Sequence, residues 1–182
     1  MIASKYPSSI KSRNILYKNY DNDKRIVVVK SDINNNEYDS LIFVGRDVKT
    51  FVIPSSIKII SLHAFTSSKI ENVSISHQVE KIRKCAFQSC LRLKNIEIPK
   101  SSELKKIGKY AFNESLIEKI FIPPQITKIC NNAFEYCSNL QKTEISQDSK
   151  LPIIEARAFK KCAIESLFIP SQVKNISGIL TL

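Results

Sequence analysis

Apolar and polar residues follow one another along this chain in a pattern that recurs about every 22–25 residues. Each repeat has a short segment with apolar residues at its first, fourth and sixth positions, then two apolar residues three apart, then an Ala-Phe dipeptide. The dipeptides are Ala64-Phe65, Ala86-Phe87, Ala111-Phe112, Ala133-Phe134 and Ala158-Phe159. A period of this size predicts a solenoid, in which each repeat forms one coil of a stack.

The segment that begins each repeat predicts a β-strand, because its alternation places one face towards a core and the other towards solvent. Proline follows four of the six segments, and it would end the hydrogen-bonding ladder and turn the chain out of the sheet. The predicted strands are Val48–Ile53, Ile70–Ile75, Leu93–Ile98, Ile117–Ile122, Leu140–Ile145 and Ile164–Ile169.

The Ala-Phe dipeptide predicts the interior of the solenoid. Alanine would allow neighbouring coils to approach closely, and phenylalanine would supply a large buried side chain. Stacked coils would place the five repeat phenylalanines in one internal column with offset ring contacts. The longer repeats contain "KSSEL" and "QDSKL" at the same place, which predicts loops on one face of the solenoid.

The two ends of the chain depart from the repeat. Residues 1–47 are expected to form an irregular N-terminal segment, with residues 48–182 forming a solenoid of five to six repeats. Within the first part, residues 1–25 predict a loosely ordered lead-in. The runs "IVVV" and "LIFV" predict a possible hairpin, and Ile42-Phe43 is a candidate for a degenerate Ala-Phe dipeptide in a cap repeat. The truncated last repeat predicts either a minimal cap or an open end that favours end-to-end self-association.

The repeat pattern I-P-x-x-[IV]-x-x-I-x-x-x-A-F-x-x-C-x-x-L-x-x-I-x-I-P resembles the BspA-like leucine-rich repeat of bacterial and protozoan surface-antigen families. The best copy is "KIRKCAFQSCLRLKNIEIP", residues 81–99. The resemblance implies a right-handed leucine-rich repeat solenoid, mostly β and turns. Short parallel strands would line its concave face, and irregular or short helical turns its convex face. It also implies a non-enzymatic surface protein that binds a host or matrix protein, with no catalytic residues to transfer.

The N-terminal sequence has no apolar core typical of a secretory signal, and no apolar run is long enough to cross a bilayer. Taken alone, these features predict a cytoplasmic protein without membrane insertion, such as an intracellular scaffold, whereas the resemblance suggests the cell surface. The formal charge of +11 permits binding to polyanions such as acidic glycans or nucleic acid. The lysines are scattered between apolar positions, so solvated faces are the simpler interpretation.

No catalytic residues, metal site, cofactor or small-molecule substrate is predicted. Cys90, Cys137 and Cys162 each follow a repeat phenylalanine by three residues, a position typical of a buried structural side chain. Reduced thiols are favoured, with a Cys137–Cys162 disulfide as the alternative. His63 and Cys85 are expected to be neighbours on the outer side of adjacent coils, but a thiolate nucleophile would also need an orienting group and an oxyanion site.

The outward residues of the predicted strands are the candidate site for a protein partner. Most of them are polar, but Phe121 and Phe168 are aromatic, and exposed aromatic residues are typical of binding hot spots. The alternative is that these rings pack on neighbouring side chains. The predicted anchors are Phe121, Phe168 and Lys119. Specificity is expected to come from Asn95, Glu97, Lys142 and Glu144.

Overall fold

Fourteen short strands and the turns between them make up the part of the chain that the computed structural model describes, residues 15–20, 24–30, 32, 37–171 and 173–176. These residues form a β-solenoid of about five coils and contain no helix. The strands are β1 (Ile15–Tyr20), β2 (Lys24–Val29), β3 (Ser40–Val44), β4 (Thr50–Val52), β5 (Ile59–Ile60), β6 (Asn72–Ser74), β7 (Lys81–Ile82), β8 (Asn95–Glu97), β9 (Lys106–Ile107), β10 (Lys119–Ile122), β11 (Lys128–Ile129), β12 (Lys142–Ile145), β13 (Ile153–Ile154) and β14 (Asn175–Ile176).

One nine-stranded sheet runs along the described chain in the order β1-β2-β3-β5-β7-β9-β11-β13-β14. Its first three strands are antiparallel, and from β3 onwards each strand pairs in parallel with the next coil. The strands β5, β7, β9, β11, β13 and β14 each include the second residue of the second apolar pair of a repeat, which the sequence did not predict to be extended. β-branched isoleucine favours this conformation. The predicted short helical turns do not occur in the described residues.

The predicted repeat strands form a second, interrupted row. β4, β6 and β8 make one parallel sheet, β10 and β12 make another, and β8 does not pair with β10. The observed strands are three or four residues long, shorter than the predicted segments. The predicted strand Ile164–Ile169 is wrong, because none of these residues is in a strand. Ile164, Leu167 and Ile169 are only half-buried, since no later described coil covers them.

The N-terminal part contains more regular structure than the sequence predicts. Residues 15–20, assigned to a loosely ordered lead-in, form strand β1 and pair with β2, which in turn pairs with β3. Val44 is buried and its amide donates to the Ala64 carbonyl at 3.0 Å, in the same way as the amides of Phe65, Phe87, Phe112 and Phe134 donate to the alanine carbonyl of the next coil. Val44 therefore occupies the place predicted for Phe43, whose side chain is half-buried. Residues 1–14 and 21–23 of the lead-in and the C-terminal residues 177–182 lie outside the described residues.

The five repeat phenylalanines form the predicted internal column, and all are fully buried. Adjacent rings are stacked, with centroids 4.6–5.1 Å apart. Phe51 adds an edge-on contact with Phe65 at 5.8 Å, which the repeat did not predict. Backbone hydrogen bonds of 2.7–2.8 Å from phenylalanine amides to the next coil's alanine carbonyls run beside the column. The small alanine side chain allows this close approach.

Each Ala-Phe dipeptide lies between two residues with left-handed backbone conformation. One is the residue before the alanine and the other is two residues after the phenylalanine, with φ values between 53° and 62°. Only His63 and Asn132 are of types enriched in this region. The residues are His63, Ser67, Cys85, Ser89, Tyr110, Glu114, Asn132, Tyr136, Arg157 and Lys161. The same tight turn is therefore imposed on every coil by the packing of Ala-Phe.

Candidate functional site

The seven predicted partner-binding residues are here called the front surface, and six of them line two adjoining clefts. It comprises Asn95, Glu97, Lys119, Phe121, Lys142, Glu144 and Phe168. Strands β10 and β12 place Lys119 beside Lys142 and Phe121 beside Glu144. Asn95 lies apart from the clefts that the other six line. Its amide nitrogen donates to the Asn72 side-chain oxygen at 2.9 Å, on the neighbouring strand β6.

Two adjoining clefts indent the front surface. The first, of about 580 Å³, lies where β8 and β10 are unpaired, and its walls include Glu97, Lys119 and Lys142. The second, of about 570 Å³, has both Phe121 and Phe168 in its walls. Phe121 and Glu144 line both clefts, so the two form one continuous depression.

The two predicted aromatic anchors differ in exposure. Phe168 is 66% exposed, the highest value among the large hydrophobic residues whose side chains are described. Phe121 is half-buried. The charged residues that line the two clefts are exposed and balanced in sign: Lys100, Lys119 and Lys142 against Glu97, Glu144 and Asp148. Glu97 also accepts a hydrogen bond of 2.9 Å from the Ser74 hydroxyl. An apolar group flanked by both signs of charge would fit this depression.

Thr143 is a site residue that sequence reasoning missed. It is buried on β12 between Lys142 and Glu144, and it forms part of the wall of the second cleft. Its hydroxyl has no hydrogen-bond partner among the described residues. The sequence signal was a threonine at a strand position that is apolar in the four preceding repeats, Phe51, Val73, Ile96 and Ile120.

The three repeat cysteines have a structural role. Their thiols donate to the carbonyl of a repeat phenylalanine on the preceding coil: Cys90 to Phe65, Cys137 to Phe112 and Cys162 to Phe134, at 3.0–3.1 Å. All five cysteines are free, so the alternative of a Cys137–Cys162 disulfide is not met in this structure. Burial raises the pKa of the Cys90 thiol and, more strongly, that of the Cys137 thiol.

His63 and Cys85 are neighbours, as predicted, but they do not form a reactive pair. The His63 Nδ1 atom lies 3.0 Å from the Thr66 hydroxyl, which donates to the Cys85 carbonyl at 2.7 Å. The Cys85 side chain is buried, so its thiol is not presented to solvent. Burial raises the pKa of Cys85, despite the opposing charges of Lys84 and Lys109. The thiol is therefore protonated at neutral pH, which disfavours nucleophilic chemistry.

We expect Cys162 to be the first thiol to react with a mild thiol reagent at neutral pH. It is half-buried, whereas Cys85, Cys90, Cys130 and Cys137 are buried, and burial raises the pKa of these four thiols. The measurement is mass spectrometry of the folded protein during labelling. Denatured protein should label at all five cysteines, and a Cys162→Ser variant should lose the fast phase. Faster labelling of Cys85 than of Cys162 would contradict this expectation.

Neither a metal-ligand cluster nor a membrane-spanning helix occurs among the described residues. No group of three or more His, Cys, Asp or Glu side chains in this part of the chain is placed to hold a metal ion. No helix in the same part of the chain is long and apolar enough to cross a membrane.

Comparison with known protein families identifies the repeat. The family model described as the BspA type leucine-rich repeat region matches residues 5–71 and 58–179, with six copies. The chain belongs to this family. The match confirms the resemblance inferred from the Ala-Phe repeat, and proteins built from such solenoids are generally non-enzymatic. No curated protein matches the chain significantly.

Two solved structures are similar to this BspA-type protein. The pneumococcal vaccine antigen PcpA matches with a TM-score of 0.71 and 24% identity, over 92% of this chain and 48% of that one, a likeness in fold. A leucine-rich cell surface protein from Faecalibacterium prausnitzii A2-165 matches with a TM-score of 0.63 and 28% identity, over 74% of this chain and 34% of that one. The chain therefore spans less than half the length of either structure.

Proposed function

We propose that this BspA-type repeat protein is an interaction module that binds a protein partner through the front surface. The observation that carries the proposal is the pair Phe121 and Phe168, both of which line the second cleft. The family supports a protein-interaction role in general terms. The proposal adds the surface and the residues.

Exposed aromatic side chains beside a depression are well suited to anchoring a partner. Aromatic residues supply most of the binding energy at many interfaces, because they bury a large apolar area at a small cost in side-chain entropy. Phe168 is free to bury most of its ring on binding, since 66% of the residue is exposed. Phe121 is held by β10 and presents a pre-ordered edge to both clefts.

The charged residues around the rings would set specificity. Lys119 and Lys142 lie side by side on β10 and β12, and Glu97 and Glu144 border the same depression. Charges of both signs favour one orientation of a partner and disfavour others. Because the positive and negative charges balance, they give no support for a polyanion site on the front surface. Asn95 would contact the partner at the edge of this surface, outside the clefts.

The remaining sequence predictions complete the proposal. Residues 1–47 would act as an N-terminal cap, and residues 48–182 as a right-handed solenoid with the front surface on its concave side. Because one structural relative is a cell surface protein, an adhesin-like role towards a host or matrix protein is the biological form of this proposal. End-to-end association of two copies would extend the same surface.

A peptide-selection experiment tests the front surface and does not require the natural partner to be identified first. The immobilised protein is used to select binders from a phage-displayed peptide library, and selected peptides are measured by calorimetry. The double variant Phe121→Ala/Phe168→Ala should weaken their binding at least about thirtyfold, since hot-spot residues contribute about 2 kcal/mol or more each. Thermal unfolding should change little from the Phe168 substitution, because its ring is largely exposed.

The matched control removes two exposed apolar side chains elsewhere. Leu91 and Tyr136 lie in turns away from the clefts and are 61% and 48% exposed. The variant Leu91→Ala/Tyr136→Ala should bind the selected peptides as the unchanged protein does. Equal binding by all three proteins, or a collapse of thermal stability in the Phe121/Phe168 variant, would show that the two rings are structural and overturn the proposal.

A further inference from the structure

Basic side chains form a row on the nine-stranded sheet, away from the front surface. Lys81, Lys106 and Lys128 occupy the same register position on the adjacent strands β7, β9 and β11. Parallel strands lie about 4.8 Å apart, so the three lysines extend across about 10 Å at regular spacing. Lys81 and Lys106 are exposed and Lys128 is half-buried.

Three more basic residues extend this row into a surface. Arg83, Lys84 and Lys109 are exposed and follow β7 and β9 directly. Lys84 and Lys109 belong to adjacent coils, and the charge of each lowers the pKa of the same thiol, Cys85, which places them near each other. We call the six residues Lys81, Arg83, Lys84, Lys106, Lys109 and Lys128 the basic surface.

Few carboxylates offset this charge. Glu155 forms an ion pair with Lys128, and Lys106 lies close enough to help lower the Glu155 pKa. The Glu80 Oε2 atom lies 3.6 Å from the Lys105 Nζ atom, and Lys105 is not one of the six residues. Among the described residues, Lys81, Arg83, Lys84 and Lys109 form no ion pair. The front surface, by contrast, carries two lysines and two glutamates.

We propose that the basic surface binds a linear sulfated polysaccharide. The sheet fixes the lysines at regular spacing, so a chain with closely spaced anionic groups can contact several at once without ordering the protein further. Lysine ammonium groups are compact point charges that suit sulfate without the planar geometry that arginine requires. The site is independent of the front surface, and it stands whether or not that surface binds a protein.

Nucleic acid and membrane fit this surface less well. Single-stranded nucleic acid is bound through aromatic residues on which bases stack, whereas the ring nearest these residues, Tyr110, already contacts the Lys109 ammonium at 5.1 Å. Duplex DNA is read by a helix or β-ribbon that enters a groove, and the described residues contain no helix. Membrane-surface binding combines a basic face with a row of large apolar groups, whereas the described residues place a single exposed large apolar residue, Leu62, at the repeat position of Lys84 on the neighbouring coil.

The test uses a fluorescently labelled heparin octasaccharide and measures its dissociation constant by anisotropy over a range of salt concentrations. The variant Lys81→Gln/Lys84→Gln/Lys106→Gln should weaken binding at least about tenfold and make the salt dependence shallower, because fewer counterions are displaced. A control variant with the same loss of charge, Lys94→Gln/Lys119→Gln/Lys142→Gln, should stay within about twofold. Equal weakening by both variants would reduce the effect to net charge and overturn the proposal.

Competing ligands identify the chemistry. Desulfated heparin of the same length, single-stranded DNA of equal formal charge, and phosphatidylserine vesicles should each bind at least about tenfold more weakly than the sulfated chain. Equal or tighter binding of any of the three would overturn the assignment to sulfated polysaccharide.

Footprinting of the unmodified protein gives an independent result that does not depend on how the variants fold. Bound heparin should protect Lys81, Lys84 and Lys106 from acetylation more than it protects Lys94, Lys119 and Lys142. Protection centred on the second group would contradict the proposal.

Discussion

Replacing Phe112 by alanine is expected to lower the free energy of unfolding by about 3–5 kcal/mol, the usual cost of removing a buried phenylalanine. Phe112 is fully buried at the centre of the column, between Phe87 at 5.0 Å and Phe134 at 5.1 Å. The substitution removes two stacked contacts and leaves a cavity between rigidly hydrogen-bonded coils. Urea unfolding followed by circular dichroism measures the loss.

Two comparisons test the reason for this effect. Phe159 has one ring neighbour among the described residues, Phe134 at 5.0 Å, so Phe159→Ala should cost less than Phe112→Ala. Phe168→Ala should cost less than about 0.5 kcal/mol, as expected for a surface substitution. A repeat protein is stabilised mainly through neighbouring repeats. If loss of the central ring cost no more than loss of the terminal one, the column would not be what couples the coils.

The second large effect is expected from Gly108→Ala, which should destabilise the protein by about 1–3 kcal/mol through overpacking. A Cβ atom at this position would lie 2.6 Å from the Arg83 carbonyl carbon and 2.7 Å from the Lys84 nitrogen. Both are backbone atoms of the preceding coil, so no flexible side chain can move aside. Replacing glycine by alanine commonly stabilises a protein, because the unfolded chain loses conformational freedom. At residue 108 we expect the opposite effect, because the added Cβ atom would be too close to the preceding coil.

Lys109→Ala is the matched control for this prediction. Lys109 is the next residue in the chain and is exposed, so its truncation should change the free energy of unfolding by less than about 0.5 kcal/mol. Thermal and urea unfolding of both variants give the comparison. If Gly108→Ala were as stable as the unchanged protein, the backbone at residue 108 could move away from the backbone at residues 83–84 at little cost in free energy.

Much of the fold could be predicted from the spacing of a few residue types. The Ala-Phe dipeptide predicted the stacked coils and the phenylalanine column, and the cysteine position three residues later predicted buried structural thiols. These predictions succeeded because each depends on one residue type recurring at one repeat position, and stacking brings equivalent positions together. The residue positions within the N-terminal cap were predicted less accurately. Val44 occupies the repeat-phenylalanine position expected for Phe43, because the cap is shifted by one residue.

The front surface and the basic surface depended on two kinds of information: alternation along one strand, and the equivalence of positions in successive repeats. Phe121 and Phe168 were identified from strand alternation, which tells inward residues from outward ones, and whether they anchor a partner stays a prediction. The basic surface was missed, although Lys81, Lys106 and Lys128 all directly precede the last isoleucine of the second apolar pair. Treating the lysines as scattered overlooked that equivalent positions 22–25 residues apart become neighbours in a solenoid.

The sequence by itself determined the solenoid, its core column and its family, because a regular repeat of apolar residues can bury its surface only by stacking on copies of itself. Tertiary structure decided the rest. It made the second apolar pair into a continuous sheet, left β8 and β10 unpaired so that a cleft opened, and separated a mixed-charge surface from a basic one. These features depend on hydrogen-bond register and on contacts between coils, which no single repeat contains.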